Sequence, residues 1–268
     1  MKAITAILTT LLLFVAGLSA QAQVQMITNG GLENWGTLDA QNRGTPTNWS
    51  TLSSTIAPTR VAGLVSTSTY AAVIPYGTSD TLAPGLSAGN PKQFQFDFVF
   101  AATDPGSTSN RSLNFNFNQT SGATPSLNFR AVQGSTAGLL NLQAYSVTLG
   151  WKDIAVGLLA STDLTVGAGG AGLNAYNLSL AVDFAAGSYT LSYGLVGSSM
   201  STPTAFSYFQ LNNGNGLASV GFLNNVINST SYAIDNVSLL TVVPEPQSLA
   251  LLAFGLATLL RGSRRKLG

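Results

Sequence analysis

The side chains that could do chemistry in this chain are few. The sequence has no histidine and no cysteine. That absence excludes Ser-His-Asp and Cys-His hydrolases, iron–sulfur sites, disulfide scaffolds and most metalloenzymes. Glycoside hydrolysis needs two carboxylates across a cleft. The chain has only two glutamates, Glu33 and Glu245, and no pair of aspartates stands out by its spacing. We therefore expect a protein that is not an enzyme.

A glycine-rich run at residues 167–172 matches the pattern G-x-G-x-x-G. A dinucleotide fingerprint requires a helix directly after the glycines, because the helix N-terminus binds the pyrophosphate. Residues 173–184 instead alternate between apolar and polar positions, as a strand does. The pattern therefore favours a flexible hairpin loop over a nucleotide site.

Aromatic side chains are the residues best suited to binding a sugar, because their flat rings stack on pyranose rings. Trp35 and Tyr76 lie in glycine-rich, turn-like surroundings, and we expect them to be carbohydrate-binding residues. Each aromatic residue can equally be a packing residue of the core. The wider set of candidates is Trp35, Trp49, Tyr70, Tyr76 and Trp151.

The charge of +1 is distributed unevenly along the chain. Residues 23–243 contain six bases and nine acids, a net charge of −3. A weakly acidic body without a basic stripe is a poor partner for nucleic acid, since phosphate neutralisation supplies most of that affinity. We expect no nucleic-acid partner.

Residues 1–22 have the layout of a secretory signal peptide. Lys2 supplies the positive start, a short apolar run follows, and Ala20 and Ala22 form a small-x-small cleavage site. The apolar run is shorter than the ~20 residues of a membrane span. We expect export by the Sec machinery and removal of this segment by signal peptidase after residue 22.

Residues 241–268 combine three features in a fixed order. Pro244, Glu245 and Pro246 hold the backbone extended, because proline fixes φ and restricts the residue before it. An apolar segment follows at residues 248–260, with no charge from 249 to 260, and then a basic tail at residues 261–266. Basic residues stay on the cytoplasmic side of a membrane and set the orientation of a span. The bases are Arg261, Arg264, Arg265 and Lys266.

This tail resembles the PEP-CTERM sorting signal of Gram-negative bacteria that make extracellular polysaccharide, a segment also named the C-terminal domain of ice-binding proteins. The resemblance implies a transmembrane helix that anchors the exported chain in the inner membrane. It also implies recognition and removal of the tail by an exosortase, followed by release to the cell envelope or extracellular matrix.

Apolar residues recur at every second position through residues 23–240, which is typical of half-buried strands. Phe94, Phe96, Phe98 and Phe100 share one strand face. Alternation over residues 176–184 and 189–195, around the turn Ala185-Ala186-Gly187, predicts a hairpin. About ten to thirteen short strands predict one all-β domain, an antiparallel β-sandwich of jelly-roll type.

The two ends of that domain carry a second, weaker resemblance. The run 29–34 (NGGLEN) with 46–49 (PTNW), and the closing 232–239 (YAIDNVSL), resemble the first and last strands of galactose-binding-like carbohydrate-binding modules. The middle of the domain also fits a lectin-like sandwich. The family resemblance implies a structural calcium ion where these strands meet, with Glu33 and Asp235 as candidate ligands.

Together these features predict an exported, exosortase-sorted protein of the cell envelope or exopolysaccharide, whose sandwich has a non-catalytic binding or structural role. Two alternatives stay open. One is an enzyme acting on polysaccharide, a glycosidase or lyase, and the other is an ice-binding protein or adhesin. Retention on exopolysaccharide with or without release of oligosaccharide separates the binder from the enzyme.

Overall fold

A computed structural model describes residues 22–51, 57–74, 81–87, 90–106, 112–119, 124–225 and 231–243. The chain divides into two units, Gln25–Leu240 and the two ends Met1–Val24 with Thr241–Gly268. The described residues of the end unit are the outer residues of the first and last strands. The site described below belongs to the unit Gln25–Leu240.

The described residues form strands and turns and contain no helix. The shortest strands have three residues and the longest has twelve. The strands are β1 Ala22–Gln25, β2 Trp49–Thr51, β3 Thr59–Ala62, β4 Tyr70–Ile74, β5 Thr81–Pro84, β6 Gln93–Ala102, β7 Leu113–Asn118, β8 Leu127–Gln133, β9 Leu139–Ser146, β10 Gly150–Leu159, β11 Ala175–Asp183, β12 Ser188–Leu195, β13 Thr204–Phe206, β14 Ser219–Asn224 and β15 Tyr232–Val243.

The strands form two sheets. Sheet 1 has eight strands in the order β13-β12-β11-β6-β15-β4-β3, with β1 paired to β15 beside that path. Sheet 2 has seven strands in the order β10-β9-β8-β7-β14-β5-β2. The registered strand pairs in both sheets are antiparallel, which confirms the predicted all-β antiparallel sandwich.

Aromatic rings from the two sheets form the core between them. Successive strand residues point to opposite faces, so the even residues of β6 share one side. Phe96 of β6 packs edge-on against Phe117 of β7, with ring centroids 5.0 Å apart. Phe98 of β6 lies 5.2 Å from Phe115 of β7. All four rings are at most 3% exposed. The alternation in the sequence therefore predicted the buried side of β6 correctly.

The predicted hairpin is β11–β12. Its register pairs Val182 with Tyr189 and Leu180 with Leu191, so the apolar positions of both strands meet on the core side. Gly187 in the turn has a φ of 64°, which glycine adopts without strain. Asp183 accepts a hydrogen bond from the backbone N–H of Ala186, which fixes the turn.

The glycine-rich run at 167–172 lies in the loop between β10 and β11. The expected hairpin is wrong here, because β10 belongs to sheet 2 and β11 to sheet 1. The loop instead packs on the outer side of sheet 1. Leu164 is buried there in a small cluster with Leu64 and Val99, and Ala168 donates its N–H to the carbonyl oxygen of Gly63. The loop therefore covers part of the outer face of sheet 1.

The described residues contain no helix that is long and apolar enough to cross a membrane.

Candidate functional site

The outer face of sheet 2 carries a continuous layer of polar side chains. The even residues of β7 and β8 and the odd residues of β9 share this face, because their alternate neighbours fill the core. Trp151 and Asp153 of β10 join it through their pairing with Tyr145 and Gln143. We call this surface the amide face. Its polar and aromatic residues are Asn114, Asn116, Asn118, Asn128, Arg130, Asn141, Gln143, Tyr145, Trp151 and Asp153, and the apolar Val132 and Leu139 lie on the same side of the sheet.

One row crosses four strands of the amide face in register. Asp153 pairs with Gln143, Gln143 with Arg130, and Arg130 with Asn114. The Arg130 Nε donates to Gln143 Oε1 at 2.8 Å, and Gln143 Nε2 donates to Asp153 Oδ1 at 3.0 Å. Gln143 therefore lies between the cation and the carboxylate. The two charges are linked without a direct ion pair.

Arg130 is held in place by an aromatic pair at the β10 side of the face. Its guanidinium carbon lies 4.0 Å from the centroid of the Trp151 ring, within the range of a cation–π contact. Tyr145 packs edge-on against Trp151 with centroids 5.2 Å apart. Partial burial lowers the pKa of Arg130, and the charge of Asp153 acts in the opposite direction. Arginine still keeps its charge at neutral pH.

The amides at the centre of the face are not saturated by the protein. Asn116 and Asn128 face each other across β7 and β8. The side-chain oxygens of both residues are enclosed and accept no hydrogen bond. Asn128 donates to Gln210 Oε1 at 3.2 Å, whereas Asn118 donates to Ser219 Oγ at 2.9 Å. These enclosed acceptors cost stability, and a ligand hydroxyl could reach them only after the amide groups rotate outwards.

The opening run 29–34 forms a tight loop against β15. The N–H of Val237 donates to the carbonyl oxygen of Gly30, and a Cβ on Gly30 would collide with the carbonyl oxygen of Val237. Asn29 has a φ of 57° and bonds the backbone of Asn34 with both ends of its amide. Only glycine fits the close approach at residue 30, so the loop sets the position of Glu33.

Glu33 and Asp235 meet around the hydroxyl of Ser68. Ser68 Oγ lies 3.0 Å from Glu33 Oε1 and 2.9 Å from Asp235 Oδ1. It also lies 2.8 Å from the carbonyl oxygen of Tyr70. A hydroxyl has one proton, so it can donate to only one of these three acceptors. The hydroxyl therefore cannot serve all three acceptors, and the backbone N–H groups of Thr69 and Asn236 also donate to the two carboxylates.

The two carboxyl groups have opposite pKa shifts. Burial raises the pKa of Asp235 to about 6, and the charge of Glu33 adds to the increase. Burial also acts to raise the pKa of Glu33, but hydrogen bonds from Thr69 and Ser68 outweigh it, so that pKa is lowered. The Thr69 N–H donates to Glu33 Oε1 at 2.7 Å. At neutral pH both groups carry charge, at a cost in stability for Asp235.

The cluster fits a calcium ion in ligand type. Two carboxylates, a carbonyl and a hydroxyl are the oxygen ligands that calcium takes, although it requires six to eight in total. Asp235 is fully buried and accepts the N–H groups of Leu64 and Asn236, so a substrate cannot reach it. Within the described residues, no three acidic, histidine or cysteine side chains form a metal cluster. The calcium ion and its ligands stay a prediction.

Trp35 and Trp49 stabilise the loop at residues 29–34. Trp35 is half-buried and its indole N–H donates to the carbonyl oxygen of Leu32 at 2.6 Å. Trp49 is 7% exposed and donates to the carbonyl oxygen of Asn29 at 3.1 Å. Both indoles therefore hold the loop that carries Glu33. Carbohydrate binding by Trp35 stays a prediction.

Several predicted residues lie outside the described part of the chain. Ala22 is the first residue of β1, while Ala20 and Tyr76 are not described. The same holds for the sorting motif and the basic tail, namely Pro244, Glu245, Pro246, Arg261, Arg264, Arg265 and Lys266.

The amide face was not predicted from the sequence, apart from Trp151 among the aromatic candidates. The asparagines of β7 alternate with Leu113, Phe115 and Phe117, which marks an outward polar side. The same alternation in β8 and β9 was the available signal. What the sequence does not contain is the register that aligns Asn114, Arg130, Gln143 and Asp153 in one row.

No protein-family model and no curated protein matches this sequence. Among solved structures, this chain aligns with domain 4 of AbnA, an extracellular family 43 arabinanase from Geobacillus stearothermophilus in complex with arabinotriose. The alignment covers 83% of this chain and 95% of that domain, at 13% identity and a TM-score of 0.46. Lectin I from Ulex europaeus, in complex with the methyl glycoside of α-L-fucose, aligns over 83% and 98% at 11% identity and a TM-score of 0.46. The catalytic domain of a family 131 glycoside hydrolase from Coprinopsis cinerea aligns over 66% and 72% at 12% identity and a TM-score of 0.44. These values are too low to assign a family, a ligand or an activity to this chain.

Proposed function

We propose that this chain is an exported β-sandwich of jelly-roll type that binds polysaccharide through the amide face without cleaving it. The observation that supports this proposal is the row Asp153-Gln143-Arg130-Asn114, flanked by Trp151 and Tyr145. Adjacent strands are about 4.8 Å apart, and Asn114 is buried at the end of the row, so the three more exposed residues of the row form a polar strip about 10 Å wide. That width is comparable to a short oligosaccharide.

The chemistry of the strip suits a sugar chain better than a protein surface. Amide groups donate and accept, and so does each sugar hydroxyl, which allows paired hydrogen bonds along the strip. Trp151 and Tyr145 add apolar ring surface at one end, where a pyranose can pack. A protein interface would be centred on a larger apolar patch.

Retention on polysaccharide tests the proposal directly. We expect the full-length chain, purified in detergent, to be retained on the exopolysaccharide of its source and to release no oligosaccharide. Release of oligosaccharide would favour the polysaccharide-active enzyme. Absence of retention on that material would contradict binding.

Replacement of Trp151 locates the binding surface. Trp151→Ala removes both the ring surface and the support of Arg130, so we expect affinity for the retained polysaccharide to fall about tenfold. Leu149→Ala, a more exposed apolar site two residues earlier, is the control and keeps wild-type affinity. Trp35→Phe and Tyr76→Phe examine the two residues that the sequence favoured. A loss confined to those two variants would move the site to the opening region.

We also propose that the chain is exported by the Sec machinery and sorted by an exosortase. Support comes from the signal-peptide layout of residues 1–22 and the ordered tail of residues 241–268. The chain would be anchored in the inner membrane until processing and then reach the cell envelope or matrix. Mass spectrometry of the surface-associated protein should find neither residues 1–22 nor the basic tail. Mature protein that ends at residue 268 would contradict sorting.

A structural calcium ion between Glu33 and Asp235 is a further part of the proposal. It is supported by the two carboxylates and the carbonyl oxygen that converge on the Ser68 hydroxyl. A cation would offset the cost of burying the charge of Asp235 and fix the opening loop on β15.

A further inference from the structure

We propose that Arg130 forms an anion subsite within the amide face, so that the polysaccharide bound there is acidic and carries uronic acid carboxylates. This inference rests on the proposed carbohydrate binding and adds the chemical class of the ligand. It depends on the geometry of one cation and its neighbours.

The guanidinium of Arg130 is fixed on two of its sides. Its Nε–H donates a hydrogen bond to Oε1 of Gln143, and one face of the guanidinium plane lies against the Trp151 ring. Among the described residues, neither Nη atom of Arg130 donates a hydrogen bond within the protein. The donors of these two atoms are the part of the fork that pairs with a carboxylate in bidentate geometry.

No carboxylate of the described residues pairs with Arg130. The ion pair that the described residues do form joins Arg43 and Asp39, which lie in a different part of the chain. Asp153, the acid in the same row, is bonded by Gln143 at 3.0 Å and by Asn141 at 3.4 Å. Gln143 thus stands between Asp153 and the guanidinium. A half-buried cation without a contacting anion gains from the approach of a ligand carboxylate.

The residues around the cation match the rest of a uronate ring. Asn114, next in the row, is 6% exposed and uncharged, and Asn128 lies on the same strand two residues before Arg130. Asn114 is too buried to contact a ligand, but the partly exposed amides of Asn128 and Gln143 can bond the ring hydroxyls, while the guanidinium takes the carboxylate. The subsite therefore distinguishes a uronate from its neutral ester by one charge.

Two polymers with one backbone test this charge preference. Polygalacturonate carries a carboxylate on each ring, and its fully methyl-esterified form has lost that charge. We expect the full-length chain to bind polygalacturonate at least about tenfold more tightly, since a hydrogen bond to a charged carboxylate is stronger than one to a neutral ester. Arg130→Gln should abolish the preference. Arg130→Lys should keep only part of it, because lysine retains the charge without the planar fork.

Lys152→Gln is the matched control. It removes the same charge one residue from Trp151, but Lys152 pairs with Ala144 and so starts on the other side of the sheet. We expect it to retain the wild-type preference, and circular dichroism checks that each variant is folded.

Equal binding of both polymers, or a loss in Lys152→Gln equal to that in Arg130→Gln, would overturn the subsite. Retention on a neutral glucan with no binding of polygalacturonate would also overturn it, while leaving carbohydrate binding intact. Failure to bind any of these polymers or the source exopolysaccharide would contradict both proposals.

Discussion

Phe222→Ala is expected to destabilise the sandwich by about 3–5 kcal/mol, the usual cost of removing a fully buried phenylalanine. Phe222 is 0% exposed and lies in β14, between β7 and β5 in sheet 2. Within sheet 2, its ring centroid lies 6.2 Å from that of Trp49 and 5.9 Å from that of Phe115. Across the core, it lies 5.7 Å from the ring centroid of Phe98 in sheet 1. The cavity left by alanine would remove contacts to both sheets at once.

The loss is measured by urea unfolding and by the melting temperature. For a domain of this size, the expected fall in melting temperature is roughly 6–20 °C. Leu211→Ala is the control, because Leu211 is 45% exposed and surface substitutions change stability by only about 0.5 kcal/mol. A destabilisation by Phe222→Ala as small as that of the control would contradict a shared core between the sheets.

The second large effect is a pH dependence that comes from Asp235. Burial raises its pKa from 3.8 to about 6, so the folded protein binds this proton more tightly than the unfolded chain. The free energy of unfolding should therefore fall by about 2 kcal/mol as the pH rises from 4 to 7, and level off above that range. Carboxyl groups with lowered pKa values, such as Asp104 and Asp183, lose their contribution at more acidic pH. Stability should therefore be greatest near pH 4–5.

Asp235→Asn should remove this slope between pH 4 and 7, since the amide does not titrate. The comparison uses the slope, because asparagine also loses one acceptor for the N–H groups of Leu64 and Asn236. Asp163→Asn, in the partly exposed loop after β10, is the control and should keep the slope. A wild-type stability that rises steadily from pH 4 to 7 would contradict the raised pKa.

Calcium offers a separate measurement on the same cluster. A cation binds the charged form of Asp235, so saturating calcium should raise the melting temperature at pH 7 and reduce the slope with pH. Glu33→Ala should remove the calcium effect. No shift in either protein would contradict the calcium site while leaving the proton effect unchanged.

Much of the core follows from the sequence, because period-2 alternation directly encodes which side of a strand is buried. The phenylalanines of β6 and the β11–β12 hairpin were predicted in this way. β10 does not show this alternation clearly, because its pairing with β9 shifts register between Asp153 and Ala155 and again before Leu158. Such irregularities break the alternation that would mark a strand.

The candidate sites differ in how far the sequence could predict them. Glu33 and Asp235 were named together from a family resemblance, and the structure brings them together around Ser68. The hydroxyl itself was not predicted, since nothing in the sequence around residue 68 marks it. The amide face required strand order β10-β9-β8-β7 and its register, which depend on contacts between distant residues. Asparagine is also a common turn residue, so its role on a strand face is easily overlooked.

The three tryptophans provide the most direct test of binding at the amide face. Each indole N–H gives its own signal in a ¹H–¹⁵N spectrum, assigned by single Trp→Phe variants. On addition of the bound polysaccharide, we expect the Trp151 signal to shift and those of Trp35 and Trp49, which donate to the carbonyl oxygens of Leu32 and Asn29, to stay in place. An unchanged Trp151 signal with a shift at Trp35 would contradict the account.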